Sequence, residues 1–138
     1  MAAIYLDTSA AIKLFKSEAE SDELERWLER QGSLAVLTSD LTRTELRRAL
    51  SACQAKDETV AEAEEWLEDC ALVRLRPVVF DRAGKLPHTG RLRSLDALHC
   101  AAALSLGSAV SAFVAYDHRL VECARALGLP VASPGVDC

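Results

Sequence analysis

Ala3-Ile4-Tyr5-Leu6-Asp7-Thr8-Ser9-Ala10-Ala11 decides the fold class. Residues 3–6 are a short apolar run, as expected of a strand buried on both faces. An acid ends the run. From Thr8 to Lys16 the apolar residues Ala10, Ala11, Leu14 and Phe15 then recur at helical spacing. The same order returns late in the chain. Phe113-Val114-Ala115-Tyr116 reads as a strand, Asp117 closes it, and His118 to Leu127 reads as a helix stopped by Gly128.

Between these ends, strands and helices alternate. Helices are expected from about Glu20 to Arg30, Leu41 to Ala55, Thr59 to Cys70, Val79 to Lys85 and Ser94 to Leu106, the last with Ser94 as its N-cap. Strands are expected at Leu34–Leu37, Leu72–Leu75 and, at an edge, Val131–Ala132. Residues 86–91 carry the Pro and Gly of a loop. No repeat or interdomain linker interrupts the pattern, so residues 1–138 are expected to form one α/β domain, a sandwich around a mainly parallel sheet. Such sheets bind ligands at the carboxyl ends of their strands. Asp7 and Asp117 each follow such an end.

Half of the 138 residues are hydrophobic, which argues against disorder. No stretch is long and apolar enough to span a bilayer, and the start lacks the features of a signal peptide, so a cytoplasmic protein without a membrane partner is expected. The cysteines, at 53, 70, 100, 123 and 138, are odd in number and never paired as Cys-x-x-Cys. That disfavours a disulfide framework or structural zinc and leaves most of them as small core residues. No Gly-rich phosphate loop, nucleophile elbow or dinucleotide fingerprint is present.

Two further acids stand out. Glu45 falls in the apolar half of its helix with Leu41, Leu46, Ala49 and Leu50, away from Arg43, Arg47 and Arg48. Asp96 opens a helix that is apolar nearly all round. Each acid also has an ordinary explanation. Asp7 and Asp117 can cap helices, Asp96 can complement a helix dipole, and Glu45 can reach solvent from an edge. Taken together, Asp7, Glu45, Asp96 and Asp117 form a hard-oxygen donor set suited to Mg²⁺ or Mn²⁺, the chemistry of phosphodiester cleavage. Thr8 and Ser9 offer hydroxyls for a water or a phosphate, or for capping. His99 reads as a satisfied core histidine.

The net charge of −5 does not announce a nucleic-acid binder. It is unevenly spread, with an acidic block from Asp57 to Asp69 and a basic one of Arg74, Arg76, Arg82, Lys85, Arg91 and Arg93. The basic block is a candidate phosphate-binding surface, with Arg91 and Arg93 nearest Asp96.

Four stretches resemble, in order, those of PIN-domain ribonucleases of the VapC toxin type. They are Ile4-Tyr5-Leu6-Asp7-Thr8-Ser9-Ala10, Thr38-Ser39-Asp40-Leu41-Thr42-Arg43-Thr44-Glu45-Leu46, Leu92-Arg93-Ser94-Leu95-Asp96-Ala97-Leu98-His99, and Val114-Ala115-Tyr116-Asp117-His118-Arg119-Leu120. The resemblance covers essentially the whole chain. It implies a PIN-like three-layer α/β/α sandwich and a Mg²⁺- or Mn²⁺-dependent endoribonuclease acting on RNA. It also implies a homodimer and a cognate antitoxin from a type II toxin–antitoxin pair. One departure is Ala115, where many relatives carry Thr or Ser. It leaves open a catalytically weak module that binds RNA or a partner. A phosphatase or phospho-receiver fits less well, because no second acid stands two residues after Asp7.

Overall fold

The computed structural model describes residues 2–87 and 92–136. The elements in chain order are β1 (Ala3–Leu6), α1 (Thr8–Ala11), α2 (Ser21–Arg30), β2 (Ala35–Ser39), α3 (Asp40–Ala52), α4 (Asp57–Asp69), β3 (Ala71–Val73), α5 (Pro77–Gly84), α6 (Ser94–Leu104), β4 (Val110–Val114), α7 (His118–Ala126) and β5 (Val131–Ala132). All five strands are parallel, in the order β3-β2-β1-β4-β5.

The strand order explains why β1 is apolar at every position. It lies in the middle of the sheet, hydrogen-bonded on both edges and covered on both faces, and its four residues are all buried. Alternate side chains then serve two cores. Tyr5 and Phe113 point to one face, against Cys100, Ala101 and Ala102 of α6 and Leu120 and Ala124 of α7. Ile4, Leu6, Ala112 and Val114 point to the other, against Ala10 and Leu24. On that second side Leu46 and Leu50 of α3 interlock with Ala63 and Leu67 of α4. The result is the expected three-layer α/β/α sandwich. After β1 the chain builds outward through β2 and β3, then crosses back to add β4 and β5 on the other edge. The order therefore reverses at β1 and β4, and their carboxyl ends flank the crevice where ligands bind in open α/β sheets.

Several local expectations shift. The first helix is cut to one turn and continues as a 3₁₀ segment, Ile12–Leu14. β4 begins at Val110 rather than Phe113 and ends before Tyr116. Pairing with β1 recruits the weak strand former Ala112 into the ladder, and Ser111 falls at the irregularity between the Val110 and Ala112 pairs. Tyr116 leaves the ladder to donate its backbone N–H to Ser9 Oγ at 3.0 Å and its hydroxyl to the Pro134 carbonyl at 2.8 Å. β3 stops at Val73, and α5 starts at Pro77, whose missing N–H costs nothing in a first turn. Ser94 is the first helical residue and not the cap, a place taken by Arg93. Cys100 and Cys123 are buried, but Cys53 is exposed, and Cys138 lies outside the described residues.

Sequence reading also passed over Lys13. Its buried ammonium meets Glu18 at 3.2 Å and Glu20 at 2.8 Å and sits 4.6 Å from the centroid of the Tyr116 ring. Two acids and a π-face compensate its desolvation, and the contact braces the segment that leads into Asp117.

At the end of β2 two neighbouring hydroxyls have opposite fates. Thr38 Oγ1 donates to the Leu6 carbonyl at 2.7 Å and lies 2.6 Å from Thr42 Oγ1, all out of solvent. Ser39 Oγ is buried beside Tyr5 yet, among the described residues, lacks hydrogen-bond geometry to any partner. Thr38→Val should therefore lower stability by about 1–3 kcal/mol, whereas Ser39→Ala should be neutral or stabilising. Urea unfolding of the two variants checks this, and equal losses would contradict it.

Candidate active site

Asp7 sits where β1 gives way to α1, with 4 % of its surface exposed. Its Oδ1 accepts from Ser9 Oγ at 2.7 Å and from the backbone N–H of Ala10 at 3.2 Å, so it does cap the helix. Burial pushes its pKa up to about 6, against the opposing pull of His99 and of these hydrogen bonds. A carboxyl group so placed is one that a nearby positive charge would ionise.

Glu45 reaches the same edge from α3. Its Oε1 accepts from Thr8 Oγ1 at 2.7 Å and contacts His99 Nε2 at 2.7 Å. Burial alone would raise its pKa, but His99, Thr8 and the charge of Arg93 outweigh that and hold it below the usual carboxylate range. Its place among apolar residues is thus explained by partners on two other elements rather than by a route to solvent. Thr42, one turn before Glu45, stands 3.3 Å from Thr8 Oγ1.

Asp96 and Asp117 meet through a single guanidinium. Arg93 Nε donates to Asp96 Oδ2 at 3.2 Å, and its terminal nitrogen lies 3.8 Å from Asp117 Oδ2. The other Asp117 oxygen accepts from the Leu120 N–H at 3.1 Å, the cap of α7. The Arg93 side chain is 63 % exposed, so solvent screens these pairs and the arginine is free to turn.

These contacts link the four acids along one edge. Thr8 joins Asp7 to Glu45 in sequence and space, His99 joins Glu45 to the helix of Asp96, and Arg93 joins Asp96 to Asp117. Among the described residues no three Asp, Glu, His or Cys side chains stand together as a ready metal cage. The donor chemistry nonetheless fits a hard divalent cation. The donors are carboxylate oxygens, one of them buried with a raised pKa, and an exposed arginine already draws two of them together.

The remaining candidates divide. The hydroxyls of Thr8 and Ser9 are committed to Glu45 and Asp7, so in this structure they orient carboxylates. Arg91 lies outside the described residues. Arg74, Arg76, Arg82 and Lys85 are exposed around α5. Ala115 is fully buried and packs with the α6–α7 layer. His99 is the residue that sequence reading undervalued. It is 1 % exposed and bonded at both ring nitrogens, to Glu45 and, at 2.9 Å, to the hydroxyl of Tyr5. The one usable signal was its place one helical turn after Asp96.

The sequence profile of the PIN domain family matches residues 4–126. Ribonuclease VapC35 of Mycobacterium tuberculosis is 41 % identical over 134 residues, which span 96 % of this chain and 97 % of that protein. Among solved structures, VapC20 of M. tuberculosis, described as a Sarcin-Ricin loop cleaving toxin, superposes with a TM-score of 0.76 at 21 % identity. It covers 96 % of this chain and 100 % of its own. VapBC2 of Rickettsia felis, solved with a DNA fragment from its promoter, gives 0.70 at 15 % identity over 95 % of this chain and 98 % of that one.

The raised pKa of Asp7 has a stability consequence in metal-free protein. An acid whose folded pKa exceeds its unfolded one contributes stability in full below the unfolded value, near 3.8 here, and loses it as pH rises through about 6. With chelator present, Asp7→Asn should abolish that loss. It should be more stable than wild type above about pH 7, by up to about 3 kcal/mol, with the advantage gone below about pH 4. Parallel melting-temperature profiles of the two proteins would contradict this.

Proposed function

The chain belongs to the PIN domain family, with close relatives among the VapC ribonucleases, and from that premise we propose that it is a metal-dependent endoribonuclease and the toxin of a toxin–antitoxin pair. The observation that carries this reading is the set of linked carboxylates at the β1/β4 switch point, one of them buried where its charge is disfavoured and a bound cation would stabilise it. Asp7, Glu45, Asp96 and Asp117 would hold Mg²⁺ or Mn²⁺, which when bound supplies an activated water and offsets charge on the scissile phosphate.

The rest of the chemistry belongs to the chain itself. Ser9 and the Ala10 N–H fix one oxygen of Asp7, and Thr8 and His99 fix one oxygen of Glu45, so each acid keeps its other oxygen for the site. Arg93 answers the electrostatic problem of an acidic pocket cutting an anionic polymer. It stands at the rim, mobile enough to turn from the acids to a flanking phosphate, and Arg91 is two positions before it in the sequence. Cleavage is favoured over a binding-only role because all four acids are present and Ala115 points into the core.

The same reading has the protein act in the cytoplasm, pair as a homodimer and bind a cognate antitoxin. No helix among the described residues is long and apolar enough to cross a membrane. Val78, Phe80 and Leu95 are exposed large apolar side chains on α5 and α6, which supports a protein partner on that side.

Purified protein incubated with total RNA should generate new ends only when Mg²⁺ or Mn²⁺ is added. Asp7→Asn should lose this activity while keeping its fold by circular dichroism. Wild-type cleavage by well-purified Asp7→Asn would sink the mechanism. Arg93→Gln should release Asp96 and Asp117 and raise Mn²⁺ affinity severalfold. It should also flatten the salt dependence of RNA binding, by roughly 0.7 in slope for one lost single-strand phosphate contact. An unchanged slope would move the RNA path elsewhere.

A further inference from the structure

Tyr5, His99, Glu45 and Thr8 are joined by a polar chain that the family reading does not require. It starts in the centre of the sheet. The Tyr5 ring stacks on Phe113 with centroids 5.2 Å apart and planes 6° from parallel, and it meets the His99 ring edge-on at 6.1 Å. Its hydroxyl lies 2.9 Å from His99 Nδ1. His99 Nε2 lies 2.7 Å from Glu45 Oε1, and the same oxygen takes the hydroxyl of Thr8 at 2.7 Å. β1, α6 and α3 thus meet in one hydrogen-bonded line.

The hydrogens follow from the partners. An ionised carboxylate only accepts, so the hydrogen in the Glu45 contact belongs to His99 Nε2. In a neutral ring Nδ1 is then the acceptor, and the Tyr5 hydroxyl, which can donate, faces it. Tyr5 is itself immobile, fully buried and stacked. The strand therefore sets the tautomer of His99, and His99 sets the direction of Glu45. A glutamate has three side-chain torsions to lose, and at a half-buried site an unheld carboxylate would sample several directions.

We propose that His99 is a positioning residue for the active site: through its Nε2–H, with Tyr5 fixing its orientation, it holds Glu45 Oε1 so that the second carboxylate oxygen is presented to the metal. The role is that of an outer-sphere partner, whose loss elsewhere weakens metal affinity or activity ten- to a hundredfold. This inference rests on the metal-dependent reading above, and its test separates the two.

The test compares wild type, His99→Leu, His99→Gln, Tyr5→Phe and Asp7→Asn. Mn²⁺ affinity is measured by calorimetry, RNA cleavage as separate kcat and KM, and folding by thermal melting. His99→Leu should bind Mn²⁺ ten- to a hundredfold more weakly and lose a similar factor in kcat, with KM for RNA little changed. His99→Gln places an amide N–H near the Nε2 position and should recover to within about threefold to fivefold of wild type. Tyr5→Phe keeps the ring stack but frees Nδ1, and should lose severalfold in Mn²⁺ affinity. Folded His99→Leu with wild-type Mn²⁺ affinity and kcat would overturn the inference, as would His99→Gln being as impaired as His99→Leu. Should His99→Leu fail to fold, Tyr5→Phe decides, and an unchanged Mn²⁺ affinity there overturns it. Asp7→Asn isolates the parent reading. If it still binds Mn²⁺ and cuts RNA, the metal site itself is misassigned. If it loses both while the His99 and Tyr5 variants retain both, only the positioning role falls.

Discussion

A carboxylate held almost out of water at the end of the central strand constrains everything around it. Asp7 cannot be moved to solvent without breaking the β1–α1 connection, because its oxygen caps the helix and its backbone N–H donates to Val114 in the neighbouring strand. Burial disfavours its charge, so the local structure must supply either a proton or positive potential. Ser9, the Ala10 N–H and His99 supply part of the potential and still leave the pKa high. Nearby groups then act as compensators in turn. Glu45 is tied to Thr8 and His99, and Asp96 and Asp117 share Arg93. The crevice is accordingly polar, though it is set at the end of a central strand whose inner residues pack in apolar cores.

How much of this the sequence revealed depends on range. Asp7 and Asp117 were legible because a strand, an acid and a helix in succession are a local pattern. Glu45 was legible as an anomaly of periodicity, a charge on the wrong side of α3. The three-layer architecture followed from the alternation of elements. What the sequence withheld was decided by pairing across the fold. β4 extends back to Val110 because β1 offers it a ladder, and no local propensity would draw Ser111 and Ala112 into a strand. His99 read as one more core residue because the two groups that give it meaning stand 94 and 54 positions away. Lys13 carried no local signal because its compensation comes from Glu18, Glu20 and the ring of Tyr116 together.

Arg93 illustrates the same point for function. Its sequence position marked it for the substrate, whereas the structure gives it two carboxylate partners. The two assignments describe one residue under two electrostatic conditions. With the acids uncompensated, the nearest mobile cation settles on them. A stronger cation held by the acids would free the guanidinium at the rim of the site for another anion.

The central place of β1 carries a consequence for the time at which the protein becomes competent. Tyr5 lies at the amino end of the chain, yet its ring rests on Phe113 and its strand pairs with residues 110–114. Neither the core beneath the crevice nor the Asp117 side of it can form until residues 110–117 are available. Domains fold during synthesis only as fast as their contacts emerge, and contacts between distant segments come last. The crevice is therefore assembled late, by contacts between distant segments rather than by any one of them alone.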